Sequence, residues 1–137
     1  MEKLKRFSIS LDAKLIKEFD TLIGKRGVCN RSKAISELLR NELVEADWRS
    51  NREVAGTITI VFDHHKKEMQ GKATKVQHDF HKIIISSQHV HLDHNNCLEI
   101  IVVKGKSSIV KKLSDELKNL NGVKHHSLTM ATTGQSL

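Results

Sequence analysis

The amino-acid sequence predicts an α+β protein built from two unlike parts. The first part opens with alternating polar and apolar side chains over 6–11 and continues with two helical patterns of apolar residues. This predicts a strand followed by two helices (βαα). The second part alternates strand-like and helix-like runs in the order βαββαβ. Its chemistry also differs, because all nine histidines of the chain lie between His64 and His126.

Two helices are predicted in the first part, each with a recognisable N-cap. Asp12 is a suitable N-cap for a helix running to about Ile23, and the two glycines within 24–27 are expected to end it. Asn30 is a suitable N-cap for a second helix reaching about Asp47. The first domain is therefore expected to span residues 1–47.

The strand over 6–11 indicates a dimer that binds DNA. Its apolar face consists of Phe7, Ile9 and Leu11, and its polar face consists of Arg6, Ser8 and Ser10. A domain this short cannot bury enough surface alone, and a lone strand leaves both edges without a partner. Two copies pairing antiparallel would form a ribbon that fits the DNA major groove, where the polar face reaches base edges. The start of the second helix, at Asn30, Arg31 and Ser32, offers N–H groups and a cation for a phosphate.

A simpler interpretation of the same pattern is an ordinary α+β core with a solvated strand face. The net charge of +7 and the isoelectric point near 9.5 agree with a polyanionic partner. However, the basic excess is spread over both parts and does not locate a binding surface. The low aromatic content, 4%, argues against a base-stacking surface.

The second part is expected to be a ferredoxin-like domain over 54–137, after a polar linker over 48–53 that contains Trp48. Its strands are predicted at 55–62, 81–91, 97–104 and 123–130, and its helices at 63–77, interrupted by Gly71, and at 107–120. The order βαββαβ predicts a four-stranded antiparallel sheet with both helices on one face.

The middle two strands carry a predicted metal site. His89 and His91 are two residues apart, so both rings project from the same face of a strand. A turn-forming segment follows and brings Cys97 back near His91. Imidazole and thiolate donors suit a transition metal rather than calcium or magnesium. Glu99 is expected to accept a hydrogen bond from a ligating ring. His78 lies just after the first predicted helix of this part and is not expected to reach the same sheet face within one chain, so it could serve a site on a neighbouring subunit.

The remaining histidines and cysteine have simpler interpretations. The adjacent pairs, His64 with His65 and His125 with His126, are expected to be solvated surface residues. Two cysteines, Cys29 and Cys97, are too few for a disulfide framework, and Cys29 is expected to be a small filler. No apolar run of 18 residues and no signal-peptide pattern are present, so a cytoplasmic protein is expected.

These features together resemble the nickel-responsive ribbon–helix–helix repressors of the NikR family. The resemblance covers Arg6 to about Thr129. Its most specific part is the spacing His78-x10-His89-x-His91-x5-Cys97, supported by the run Asp93-His94-Asn95-Asn96-Cys97-Leu98-Glu99 and by Asn30-Arg31-Ser32.

The resemblance implies a homotetramer, a dimer of dimers, in which ACT-type ferredoxin-like domains form the core and ribbon–helix–helix domains lie at the ends. It implies one Ni(2+) per subunit in a square-planar field, held at the tetramer interface by His89, His91 and Cys97 of one chain and His78 of another. It assigns the contacts with operator DNA bases to Arg6, Ser8 and Ser10. The family often has threonines at the two serine positions, so the target sequence is expected to differ.

The leading hypothesis is therefore a nickel-responsive repressor of transcription that binds double-stranded operator DNA and is not an enzyme. One alternative is a metal-dependent enzyme such as a zinc hydrolase, although four protein ligands would close the coordination sphere. Another is a DNA-binding regulator that senses a small molecule through its ACT-like domain.

Overall fold

The structure is a computed structural model that describes residues 2–28 and 30–137. Cys29, and with it the expected filler role, lies outside the described residues. The chain divides into two compact units, the first ending at Arg40 and the second running from Asn41 to Leu137. Of the helices in the described ranges, none is both long and apolar enough to cross a membrane.

The first unit opens without a strand. Residues 2–12 have no regular secondary structure in the single chain, so the strand expected over 6–11 is not formed here. A strand is held by hydrogen bonds to a neighbouring strand, and the described part of the first unit contains helices only. The apolar side of the alternation is left uncovered, with Phe7 72% exposed and Ile9 58% exposed.

Helix α1 spans Ala13–Lys25 and begins where the sequence predicts. The Asp12 carboxylate accepts hydrogen bonds from two backbone N–H groups of the first turn, at 2.8 and 3.4 Å, so the predicted N-cap is confirmed. Gly24 lies inside the helix rather than ending it. The chain leaves the helical direction at Gly27, whose φ of 69° is readily adopted by a residue without a Cβ atom.

Helix α2 spans Arg31–Arg49 and is longer than predicted. Asn30 Oδ1 accepts a hydrogen bond from the Lys33 backbone N–H at 2.8 Å, as expected of an N-cap. The helix continues through Trp48 and Arg49, two residues that the sequence placed in the linker. The polar residues around Trp48 predicted a linker, but they lie on the exposed side of the last helical turn.

Trp48 fixes the last turn of α2 by burial and hydrogen bonds. Its side chain is only 2% exposed, and its indole Nε1–H donates to the Ala131 carbonyl at 2.9 Å. The Ser107 hydroxyl donates to the Trp48 carbonyl at 2.7 Å. Gly56 makes room for the indole, because a Cβ atom there would lie 3.3 Å from the ring and 2.7 Å from the Thr129 carbonyl oxygen.

The second unit has the predicted ferredoxin-like topology. Its strands are β1 (Glu53–Asp63), β2 (Ile84–His91), β3 (Asn96–Lys106) and β4 (Val123–Met130), and its helices are α3 (Lys67–Asp79) and α4 (Ser107–Lys118). The strand order is β2-β3-β1-β4, with every neighbouring pair antiparallel. Two details differ from expectation: α3 passes through Gly71 without interruption, and residues 80–83 form a turn before β2.

The core lies between one face of this sheet and the two helices. Alternate residues of β1 are buried, as a strand covered on one face requires. The buried residues that pack together there include Ile58, Ile60, Phe62, Ile101 and Val103 of the sheet, Met69 and Ala73 of α3, and Val110, Leu113 and Leu117 of α4. Both helices therefore cover the same face, as predicted.

Candidate metal centre

The β2–β3 hairpin brings two of the predicted metal ligands into contact. His91 is paired with Cys97 in the antiparallel register, and Cys97 Sγ lies 3.1 Å from His91 Nδ1. His89 projects from the same strand face, and its ring centroid lies 5.2 Å from that of His91. The hairpin therefore presents two imidazoles and one thiol on one face of the sheet.

Asp93 organises the turn of this hairpin. Its Oδ1 accepts hydrogen bonds from the backbone N–H groups of Asn95 and Asn96, each at 2.8 Å. The Asn96 side-chain amide also donates to Asp93 Oδ2 at 3.0 Å. These bonds, above all the one from the Asn96 side chain, lower the pKa of Asp93 to about 2. The carboxylate therefore stays ionised at neutral pH and fixes the turn that places Cys97 opposite His91.

Cys97 is a fully buried free thiol and the second residue of β3, directly after the hairpin turn. It lies between His91 on β2 and Phe62 on β1, which are its partners in the two registers. Burial raises the pKa of the Cys97 thiol above its ordinary value, and nearby carboxylates add to this effect. Those carboxylates belong to Asp63, Asp93 and Glu99. A cation at this position must therefore displace the thiol proton.

Glu99 has a different partner from the one expected. It is paired with His89 in the register, but its Oε1 accepts a hydrogen bond from Gln77 Nε2 at 2.9 Å. The expected hydrogen bond from an imidazole is not formed among the described residues. Since Gln77 belongs to α3, this bond ties the helix to the sheet face that carries His89.

His78 is next to Gln77 but does not join the donors of the hairpin. It lies in the last turn of α3 and is exposed. Its ring stacks on that of His81, with centroids 5.8 Å apart. The group of close donor atoms around Cys97 in the described residues does not include His78.

His64 is the residue that the sequence interpretation missed. It was expected on the solvated surface, but one of its ring nitrogens lies within 4.8 Å of a donor atom of His91 and of Cys97. The reason is the β1–β3 register, which pairs Phe62 with Cys97 and so delivers the residues after β1 to the hairpin. The sequence pattern does not show which distant strands pair or in which register. The position of His64, directly after a strand, was the one available sign that it could lie near a site at the end of the sheet.

Of the other histidines in adjacent pairs, two are exposed and one is half-buried. His65 and His125 are exposed, as expected, and His65 Nε2 lies 3.0 Å from the His94 carbonyl oxygen. His126 is half-buried instead, with Nε2 2.8 Å from the Ser114 hydroxyl. Burial, followed by the charge of a nearby lysine, lowers the pKa of His126.

The residues predicted to contact DNA are accessible in the first unit. Those predicted to contact bases are Arg6, Ser8 and Ser10, all exposed. Among the predicted phosphate contacts, Ser32 is exposed and Asn30 caps α2. Arg31 makes a two-point ion pair with Asp20, at 2.8 and 2.6 Å, which lowers the pKa of that carboxyl. Any phosphate would compete with Asp20 for this guanidinium.

The chain is therefore an α+β protein with a small helical unit at its N-terminus and with imidazole and thiol donors that could hold a metal ion. Residues 55–131, more than half of the chain, match the family profile of the NikR C-terminal nickel-binding domain. Residues 5–46 match the ribbon–helix–helix proteins of the CopG family. The chain belongs to the NikR family.

Full-length relatives agree with this assignment. The chain is 48% identical over 135 residues to a protein of Syntrophus aciditrophicus, covering 98% of each. It is 49% identical over 138 residues to one of Solibacter usitatus, covering 100% of this chain and 99% of that one. Both are named as nickel-responsive regulators, so the expectation that the protein is not an enzyme is confirmed.

A solved structure shows the same fold at low sequence identity. An uncharacterized protein of Thermotoga maritima superposes with a TM-score of 0.53 at 18% identity, covering 57% of this chain and 96% of that one. This likeness concerns the fold alone.

Proposed function

We propose that this protein is a nickel-responsive repressor that binds Ni(II) across a tetramer interface and then binds operator DNA through a paired β-ribbon. In this proposal residues 1–47 form the DNA-binding domain and residues 54–137 form the metal-binding and tetramerisation domain. One Ni(II) is bound per subunit. The observation that carries the proposal is the 3.1 Å contact between Cys97 Sγ and His91 Nδ1 in a chain that also has a ribbon–helix–helix domain.

The donors present suit nickel. Imidazole nitrogen and thiolate sulfur are ligands of borderline and soft transition metals. We assign His89, His91 and Cys97 of one chain and His78 of a second copy to the site. When bound, the Ni(II) ion would supply a positive charge that holds donors of two chains together. The exposure of His78, outside the donor group around Cys97, supports its assignment to a second copy.

A site shared between two chains gives metal binding a way to affect DNA binding. A ligand shifts an equilibrium between two arrangements only as far as it binds one of them better. Donors from two copies bind together only in an arrangement that brings those copies close. Nickel would then favour the arrangement in which both ribbons reach one operator.

The exposed N-terminal segment supports a ribbon formed by two copies. The segment 6–11 pairs with no strand among the described residues, and Phe7 and Ile9 are largely exposed. Pairing with the same segment of a second copy would satisfy its backbone and cover its apolar face. The opposite face, with Arg6, Ser8 and Ser10, would then point into the major groove.

A mobility-shift assay with and without stoichiometric Ni(II), repeated with Zn(II), Co(II) and Cu(II), tests the proposal. Operator fragments can be recovered by selection from a random-sequence pool with the nickel-loaded protein. We expect Cys97→Ala to abolish nickel-dependent binding while leaving the fold and weak nonspecific binding intact. His125→Ala, an exposed histidine elsewhere in the sheet, serves as the control. A normal nickel response in Cys97→Ala would contradict the assigned site.

Mixing two inactive variants tests whether the site is shared between chains. In a tetramer of His78→Ala and Cys97→Ala chains, the first chain provides His89, His91 and Cys97, and the second provides His78. We expect each variant alone to lack the nickel absorption bands and the co-expressed pair to regain part of them. If the mixture regains none, the shared site is wrong even if nickel still binds elsewhere.

A further inference from the structure

His64 occupies a defined position beside the hairpin. It follows the last residue of β1, and its backbone N–H donates to the Asn95 carbonyl in the hairpin turn at 3.0 Å. Its ring centroid lies 5.2 Å from that of His91, with the two ring planes at 81°. The backbone of both segments therefore holds this ring against the hairpin.

One ring nitrogen of His64 has no hydrogen-bond partner among the described residues. Its Nδ1 is the buried side-chain polar atom of the described residues that makes no hydrogen bond. A buried polar atom is costly unless it is paired, and native proteins keep few of them. The same ring has a nitrogen within 4.8 Å of a donor atom of Cys97 and of His91. A cation bound among these three side chains would account for a buried imidazole whose polar atoms are not fully paired.

We propose that His64, His91 and Cys97 form a second metal site, contained within one chain, that binds Zn(II). The donor atoms of these three residues lie within 4.8 Å of one another. This inference rests on the proposed function, because the proposed nickel site also uses His91 and Cys97. The two sites therefore cannot be filled at the same time in one chain. His64 is the donor that distinguishes the one-chain site from the shared nickel site.

Zinc suits this set of donors better than nickel does. Zn(II) has no geometric preference from its d electrons and commonly takes three protein ligands and a water in a tetrahedron. With metal–ligand bonds of about 2.0–2.3 Å, tetrahedral donors lie about 3.5 Å apart. Side-chain rotation alone could bring donors within 4.8 Å to that spacing.

Zinc bound in this way would not require a second copy. All three protein donors belong to one chain, so filling the site would not favour one arrangement of the subunits over another. The protein could then bind zinc without acquiring the high-affinity DNA-binding state. His64 would therefore allow the protein to bind zinc without an increase in its affinity for operator DNA.

The experiment compares zinc and nickel affinities of full-length variants by competition with a chromophoric chelator. We expect His64→Ala to weaken Zn(II) binding by at least about tenfold. Its Ni(II) affinity and nickel absorption spectrum should remain as in the wild type. His89→Ala should do the opposite, and His125→Ala should change neither. With Co(II) as a zinc probe, the intense tetrahedral absorption bands should weaken in His64→Ala only.

Three results would overturn the inference. One is an unchanged Zn(II) affinity in His64→Ala, and another is an equal loss of zinc and nickel affinity in that variant. The third is an equal loss of zinc affinity in His65→Ala, which would place zinc on the neighbouring Asp63, His64 and His65 group instead. His64→Gln, with circular dichroism of the metal-free protein, separates ligand loss from misfolding. Failure of the shared nickel site would appear separately, as normal nickel binding by His89→Ala.

Discussion

Replacing Trp48 with alanine should destabilise the second unit by about 3–5 kcal/mol, the usual cost of removing a buried tryptophan from a core. The indole is 2% exposed and is part of the main cluster of buried residues. The substitution also removes the 2.9 Å hydrogen bond from Nε1–H to the Ala131 carbonyl. The cavity would be hard to fill, because Gly56 under the ring has no side chain to move into it.

Trp48→Phe divides this loss into its two causes. Phenylalanine keeps most of the buried apolar area but cannot donate to Ala131, so we expect a loss of about 1–2 kcal/mol. Arg49→Ala is the matched control from the next position, where the side chain is exposed and pairs with Glu42 and Glu45 on the helix surface. Little change in the free energy of unfolding is expected there.

The assay is urea unfolding of the metal-free, full-length protein, followed by far-ultraviolet circular dichroism at one protein concentration. A fixed concentration is needed because subunit association adds to apparent stability. The slope of the free energy against urea should stay constant across the variants, so that midpoints report stability. A loss below about 1 kcal/mol for Trp48→Ala would refute the role of this side chain as the anchor of α2.

Three further predictions concern DNA binding, metal binding and pH. Asp20→Asn should leave Arg31 free for phosphate and raise operator affinity at low salt. Arg31→Ala should reduce the slope of log binding constant against log salt concentration by about one, as measured by anisotropy titration. An unchanged slope would exclude a contact between Arg31 and a phosphate. Asp93→Ala should weaken Ni(II) binding by about tenfold because it loosens the hairpin turn, and Asp93→Asn should weaken it less. Nickel-binding isotherms measure both effects, and equal affinity in the wild type and the two variants would contradict this role of Asp93. The lowered pKa of His126 stabilises the fold above its unfolded value, near 6.5, and this contribution is lost as the pH falls through the folded pKa. His126→Gln should therefore flatten the decrease in unfolding free energy as the pH falls below about 6.5, and an unaltered pH dependence would argue against the burial of this ring.

Most of the second unit could be predicted from the sequence because its signals are local. Alternation over β1, helical spacing over α4 and turn-forming residues after His91 each depend on neighbours in the chain. The errors occur where a distant contact decides the outcome. Trp48, in the last turn of α2, is held by hydrogen bonds to Ala131 and Ser107, which are distant in the chain, and its polar sequence neighbours gave no sign of this.

The N-terminal ribbon is a different case, because the fold class that contains it is confirmed by the family match over residues 5–46. The alternation over 6–11 is present in the sequence, but the described residues of the single chain form no strand there. The prediction of a ribbon therefore depends on a second copy. Circular dichroism, and disulfide cross-linking of the Ser8→Cys variant, would test that pairing directly.

For the metal centre, the sequence by itself determined the donor types and the part of the site that one hairpin can assemble. His89, His91 and Cys97 are linked by strand alternation and a short turn, both of which are local properties. Only the tertiary structure showed that His64 reaches the same thiol, because the pairing of β1 with β3 joins segments more than thirty residues apart. It also showed that Glu99 bonds to Gln77 on α3. Local spacing fixes which side chains share a strand face, whereas packing between distant elements decides which neighbours complete the site.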